Sequence, residues 1–175
     1  DGNDNDKLPT FPANLDNPNV ISVAATLDRS AIARFSSYGK ETVDVAAPGV
    51  GVESTIPGDG TLKMSGTSQA SPGVAQIAVG IKDQNPALLP RDMKEIILRT
   101  VDHKDFLAGK VATSGVVNSE RALRAAQLSL SMGVDQAIQR AILEVQDIPV
   151  KEDEFTAAEA FEGWVMPLPS LIQLN

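Results

Sequence analysis

The chain has 175 residues, 42% of them hydrophobic and 22% charged, a balance ordinary for a globular protein of about one domain. Its net charge of −8 argues against a nucleic-acid-binding surface, which needs clustered Lys and Arg. It contains no cysteine, which excludes disulfides, thiolate metal sites and cysteine nucleophiles, and no run approaches the roughly 18 apolar residues of a membrane span.

Residues 1–19 read as loop, because Asp-Gly-Asn-Asp-Asn and then Pro9, Pro12 and Pro18 interrupt any regular element. Val20–Ala25 is a short β-branched apolar run of the kind that forms a buried strand. Val43–Ala46 and Val52–Thr55 are two further strand candidates, separated by Pro48 and Gly49, and Gly58-Asp59-Gly60 is a turn signal. From Ser68 onward the period becomes helical, with Val74, Ile77, Ala78 and Ile81 on one face and Pro72 expected in the first turn. Three more helices are expected: Pro90–Val101, Ser119–Leu128 with Asn118 as N-cap, and Asp135–Val145. Strands followed by helices suggest an α/β architecture. Three strand candidates are few for such a sheet, and the chain opens on Asp1 without a Met, so part of the domain is expected to lie outside this sequence. From Ser131 onward there are eight acids and two bases, a shift that divides the chain into residues 1–129 and an acidic extension, 130–175.

The chemistry concentrates in Met64-Ser65-Gly66-Thr67-Ser68-Gln69-Ala70-Ser71-Pro72. A glycine bend feeds a helix, and Ser68 stands at its start. Unpaired N–H groups and the positive end of the helix dipole favour a developing anion there, and the Ser68 amide can point at it. Helix capping alone also selects Ser at such a position. An α/β-hydrolase elbow would read Gly-x-Ser-x-Gly, but Ala70 occupies the last position.

The longer pattern Gly66-Thr67-Ser68-x-Ala70-x-Pro72-x-Val74-Ala75 resembles the nucleophile signature of the subtilisin-like serine proteases, the subtilases. It departs at Gln69, where the family usually has Met, and at Gly73, where it usually has His. Phe11-Pro12-Ala13, Asn19–Ala25, Phe35-Ser36-Ser37-Tyr38-Gly39, Val45-Ala46-Ala47-Pro48-Gly49 and Gly115-Val116-Val117-Asn118 are similar to further family blocks, in the right order. The resemblance implies the three-layer, mostly parallel α/β fold of subtilisin, of which this chain is the C-terminal half. It implies a serine endopeptidase acting through an acyl-enzyme on Ser68. It gives Asn3 the side-chain amide of the oxyanion hole, with Thr67 in support, and makes Gly2, Thr10, Phe11 and Gly66 substrate-binding.

A subtilase needs Asp and His ahead of its Ser. The single histidine here, His103, follows Ser68 in a polar run and reads as a solvated loop residue. The implied partners are therefore a peptide or protein substrate and the N-terminal half of the same catalytic domain. No cofactor is implied; the resemblance allows a structural calcium near residues 12–17. It implies a secreted or extracytoplasmic protein. The rival reading within the family is a non-catalytic homologue acting as a binding or regulatory module.

Overall fold

The computed structural model describes residues 2–150. Seven strands and four helices follow one another: β1 Val23–Leu27, β2 Ala31–Ile32, β3 Val45–Pro48, β4 Val52–Ile56, β5 Gly60–Met64, α1 Thr67–Gln84, α2 Pro90–Arg99, β6 Asp102–His103, β7 Gly115–Val116, α3 Ser119–Leu128 and α4 Val134–Glu144. Five strands form one sheet in the order β2-β1-β3-β7-β6, while β4 and β5 make a separate hairpin. The β1–β3 and β3–β7 pairs are parallel and both outer pairs antiparallel. The fold is thus α/β with a mixed sheet whose centre is parallel.

Alternation along the two central strands divides the core. Ala25, Val45 and Ala47 face a large cluster built by Ala70, Val74, Ile77 and Ile81 of α1 together with the inner faces of α2, α3 and α4. Ala24 and Ala46 face the other way, onto Val43, Leu107, Val111 and Val116. The four helices therefore stack on one face, and the second face is closed by the 105–111 connection with its 3₁₀ turn, Asp105–Leu107. Alanines on both central strands let α1 approach the sheet closely, which fits a core built almost without aromatics.

The expected helices are present within two residues at each end. Pro72 differs: it is the sixth residue of α1, not a first-turn residue. Its ring removes the N–H that would bond the Ser68 carbonyl. Packing continues through residue 130, since Ile138 and Ala141 of α4 join the same cluster as α3. The apolar residues of the acidic extension, Phe155 to Leu174, lie outside the described residues.

Candidate active site

The glycine bend before Ser68 sits at the carboxyl end of a parallel strand, where open α/β sheets place their sites. Strand β3 leaves through Pro48 and Gly49, and the Gly66 amide donates to the Gly49 carbonyl at 2.8 Å. The β4–β5 hairpin brings the chain back, and the Ser65 hydroxyl accepts from the Gly51 amide at 3.0 Å. Contact is tight enough at Gly49 to exclude a side chain, while at Gly66 it is the end of one side chain that stands close. A Cβ on Gly49 would lie 2.7 Å from the Ala25 Cβ and 2.7 Å from the Gly66 carbonyl oxygen. A Cβ on Gly66 would lie 2.6 Å from Gln69 Oε1.

Helix α1 starts directly from this bend. Gln69 and Ala70 are the first residues whose amides bond back, both to the Gly66 carbonyl, at 3.1 and 3.2 Å. Thr67 and Ser68 precede that ladder, and the first-turn amides have no acceptor within the helix. Ser68 is exposed and Thr67 half-buried. Both border a cavity of about 460 Å³ whose wall also includes Asn5, Thr10, Ala13, Ser22 and Ser37. The arrangement provides an exposed hydroxyl, helix-terminal amides and an adjacent side-chain-sized cavity.

The opening loop is held against residues 34–42. Asn5 and Tyr38 amides donate to the Tyr38 and Asn3 carbonyls at 2.7 and 3.0 Å, and the Gly2 amide donates to the Phe35 carbonyl at 2.9 Å. Gly2 has φ +68°, and a Cβ there would come within 3.1 Å of the Arg34 carbonyl oxygen. The Asp6 carboxylate accepts from the Glu41 and Thr42 amides and from the Thr42 hydroxyl at 2.8 Å. Slight burial pushes its pKa up, but the Thr42 hydroxyl and these amides outweigh it and hold Asp6 below the ordinary carboxylate value. Asp4 pairs with Lys7 at 3.0 Å. Among the described residues no three His, Cys, Asp or Glu side chains converge.

Of the residues singled out from sequence, Thr10, Thr67 and Ser68 share the cavity wall. Gly66 is the residue immediately before the helix. Gly2, Asn3 and Phe11 are not part of that wall; Asn3 is exposed, and Phe11, in a cis bond to Pro12, is 68% exposed.

A model of the subtilase family matches residues 1–133. The chain is a subtilase. It is 38% identical over 116 residues to alkaline elastase YaB of Bacillus sp. (strain YaB), covering 65% of this chain and 29% of that protein. It is 34% identical over 123 residues to subtilisin BL of Lederbergia lenta, covering 70% of this chain and 44% of that one. A solved structure of the subtilase cytotoxin SubAB assembly superposes with a TM-score of 0.63 at 26% identity, covering 83% of this chain and 48% of that chain. The chain therefore spans less than half the length of each of these relatives.

In this subtilase segment the one histidine is remote from Ser68. His103 is exposed in β6, on the outer edge of the sheet, and borders a different cavity with Arg99, Val101 and Asp147. Its sequence neighbour is a feature the sequence did not reveal. Asp102 is fully buried and accepts four hydrogen bonds: from Arg29 at 2.6 Å, Asn118 at 2.7 Å, Arg121 at 3.1 Å and the Ile148 amide at 3.0 Å. Arg121 also donates to the Val145 carbonyl and to Asp147 at 2.8 Å, fastening the segment after α4 to the core. The Arg121 guanidinium beside Asp147 holds that carboxyl below its ordinary value against a smaller opposing effect of burial.

Proposed function

We propose that this chain is the nucleophile-bearing part of a serine endopeptidase that cleaves peptide bonds through an acyl-enzyme on Ser68. The observation that carries the reading is the exposed Ser68 hydroxyl at the first turn of α1, on the wall of a cavity able to take a substrate side chain. The Ser68 oxygen attacks the scissile carbonyl, and a base takes its proton. The base returns that proton to the leaving amine, and water then hydrolyses the ester. The Ser68 amide and the Asn3 side chain serve the oxyanion, with Thr67 in support. Loss of one such donor is known within this family to cost on the order of 10²–10³-fold in kcat.

His103 is not assigned as the base, because it lies on the edge strand β6, two strands from β3, and borders a different cavity from Ser68. The triad Asp and His come from the N-terminal half of the catalytic domain. A neutral serine hydroxyl without a base is a poor nucleophile, so this chain alone hydrolyses peptides negligibly. The family resemblance supports action outside the cytoplasm, and one relative, 36% identical over 105 residues, is named a cell wall-associated protease of Bacillus subtilis (strain 168).

The test is an active-site serine phosphonate. The complete protein is expected to be labelled stoichiometrically at Ser68 and to lose labelling with Ser68→Ala, while the isolated chain stays unlabelled. An unlabelled complete protein would point instead to a non-catalytic family member. Stoichiometric labelling of the isolated chain would refute the need for a second half.

A further inference from the structure

The proposed oxyanion amide and the proposed nucleophile are carried by different stretches of chain. Asn3 lies in the opening loop, while Ser68 follows a bend whose Gly66 amide is tied to Gly49, just past the end of β3. Residues 38–43 lie beside the opening loop and run on into β3, so they join the two carriers. Backbone bonds hold the first part of this seam: the Tyr38 amide donates to the Asn3 carbonyl at 3.0 Å, and the Asn5 amide to the Tyr38 carbonyl at 2.7 Å. The opening loop then turns back on itself, with the Lys7 and Leu8 amides donating to the Asp4 carbonyl at 3.1 and 2.9 Å. Beyond that point a side chain continues the seam.

Asp6 Oδ1 accepts from the Glu41 amide at 3.1 Å, the Thr42 amide at 3.0 Å and the Thr42 hydroxyl at 2.8 Å, and Oδ2 lies 3.3 Å from the Glu41 amide. The carboxylate fits closely against the turn: a Cβ on Gly39 would fall 2.5 Å from Asp6 Oδ1 and 2.4 Å from Thr42 Oγ1. The turn itself is anchored from the other side. The Gly39 amide donates to the Lys110 carbonyl and the Ala112 amide to the Val43 carbonyl, both at 2.8 Å, and Val43 is buried. Asp6 therefore ties a loop to an anchored turn, three residues after Asn3. These donors are neutral, so what the carboxylate supplies here is the placement of an acceptor.

We propose that Asp6 is a positioning residue, which holds the Asn3 amide in register with Ser68 by fastening the opening loop to the turn that leads into β3. This rests on the endopeptidase reading above, and within it on Asn3 as an oxyanion donor. Asp6 touches no reacting atom. Its loss lets the loop drift from β3, and a displacement of about 1 Å at a reacting centre costs on the order of 10²-fold.

The test is phosphonate labelling of Ser68 in the complete protein, with the limiting rate separated from the half-saturating concentration and the melting temperature recorded in parallel. The phosphoryl oxygen takes the place of the oxyanion, so the limiting rate reads the Asn3 amide. Asp6→Ala is expected to lower that rate by about tenfold or more and to leave the half-saturating concentration within about twofold. Asp6→Asn should recover most of the rate, because its Oδ1 can keep the bonds to Glu41 and Thr42. Asn3→Ala alone should slow labelling by about 10²-fold. Adding Asp6→Ala to it should cost less than about twofold more, because residues that act through one contact are not additive. If Asp6→Ala fails to fold, Thr42→Val decides: it removes the 2.8 Å bond alone and should slow labelling by about threefold, an effect absent beside Asn3→Ala. A rate unchanged by Asp6→Ala, no recovery in Asp6→Asn, or full additivity with Asn3→Ala would overturn the proposal. An Asn3→Ala protein that labels at the unmodified rate would overturn it too, by removing the donor to be positioned. Failure of the unmodified protein to label would instead overturn the endopeptidase reading.

Discussion

Gly49→Ala is a strict test of whether the β3 exit sets the position of the nucleophile. The new Cβ would come 2.7 Å from the Ala25 Cβ, 2.7 Å from the Gly66 carbonyl oxygen and 3.1 Å from the Ala70 Cβ. These belong to a central strand, the backbone of the bend and the buried face of α1. None is the free end of a flexible side chain. Nonbonded carbons rest about 3.5–4.0 Å apart, so the bend must retreat from β3 by about 0.8 Å. Overpacking of this kind costs about 1–3 kcal/mol of stability. The effect on reactivity is the sharper readout. Misplacing a reacting group by about 1 Å costs on the order of 10²-fold, so the retreat of Gly66 should lower reactivity by about 10–100-fold. The assay is the second-order rate of phosphonate labelling at Ser68 in the complete protein, with the melting temperature recorded in parallel. Gly73→Ala is the control, since a Cβ there meets nothing within 4 Å. Replacing a mid-helix glycine in this chain should raise its stability by about 0.5–1 kcal/mol. Labelling of the folded Gly49→Ala protein within twofold of the unmodified rate would refute the reasoning.

Asp102→Asn exchanges one of the two oxygens that serve four donors for an NH₂ group, leaves Arg29 buried without its counter-charge and leaves Arg121 with Asp147 alone. It should cost about 3–5 kcal/mol in urea unfolding followed by circular dichroism, and a loss below 1 kcal/mol would show that the carboxylate is dispensable. Gln69 offers no thioether to oxidation, so brief peroxide treatment should leave the activity of the complete protein largely intact and inactivate the Gln69→Met variant; equal loss in both would place the sensitive group elsewhere. Asp6 and Asp147 are both held below their ordinary value of 3.8. A depressed carboxylate contributes stability that is present above its unfolded pKa and lost as pH falls through the folded one, so the urea midpoint should drop between about pH 5 and pH 3. Asp147→Asn should flatten that slope, and an unchanged slope would exclude the Arg121 pairing as its source.

What the sequence revealed follows from how many residues each signal spans. Helix α3 coincides with its expectation, Ser119–Leu128, because cap and stripe agree: Asn118 Oδ1 accepts from the Arg121 amide at 2.9 Å, and Ala122, Ala125 and Ala126 are buried. Strands β2, β6 and β7 contain two residues each, too few for any alternation to be visible. Strand β5 was not expected either, although its turn was marked at Gly58-Asp59-Gly60, because exposure along both hairpin strands erases a polar–apolar period. Single side chains were the hardest to read. Asp102 stands in a polar run with His103 and Lys104, and nothing local distinguishes the buried carboxylate from the exposed ring beside it. Asp6 is likewise one of several Asp and Asn residues, and only the fold brings it to Thr42.

Gly49 and Gly66, bonded to each other at the bend before Ser68, look equivalent in the sequence but are confined for different physical reasons. Gly49 is confined by a strand, a carbonyl and a helix, while Gly66 is confined mainly by Gln69 Oε1, the end of a half-buried side chain. The φ of 165° at Gly66 is extended backbone that any residue adopts. An alanine at residue 66 can therefore be absorbed by a rotation of Gln69, whereas one at residue 49 has to move backbone. Gly66→Ala should label at Ser68 faster than Gly49→Ala, and shortening the neighbour in a Gly66→Ala, Gln69→Ala double variant should restore most of the remaining loss. Failure of the shorter neighbour to restore the rate would mean that residue 66 is held glycine by the approach of substrate and not by the packing of Gln69.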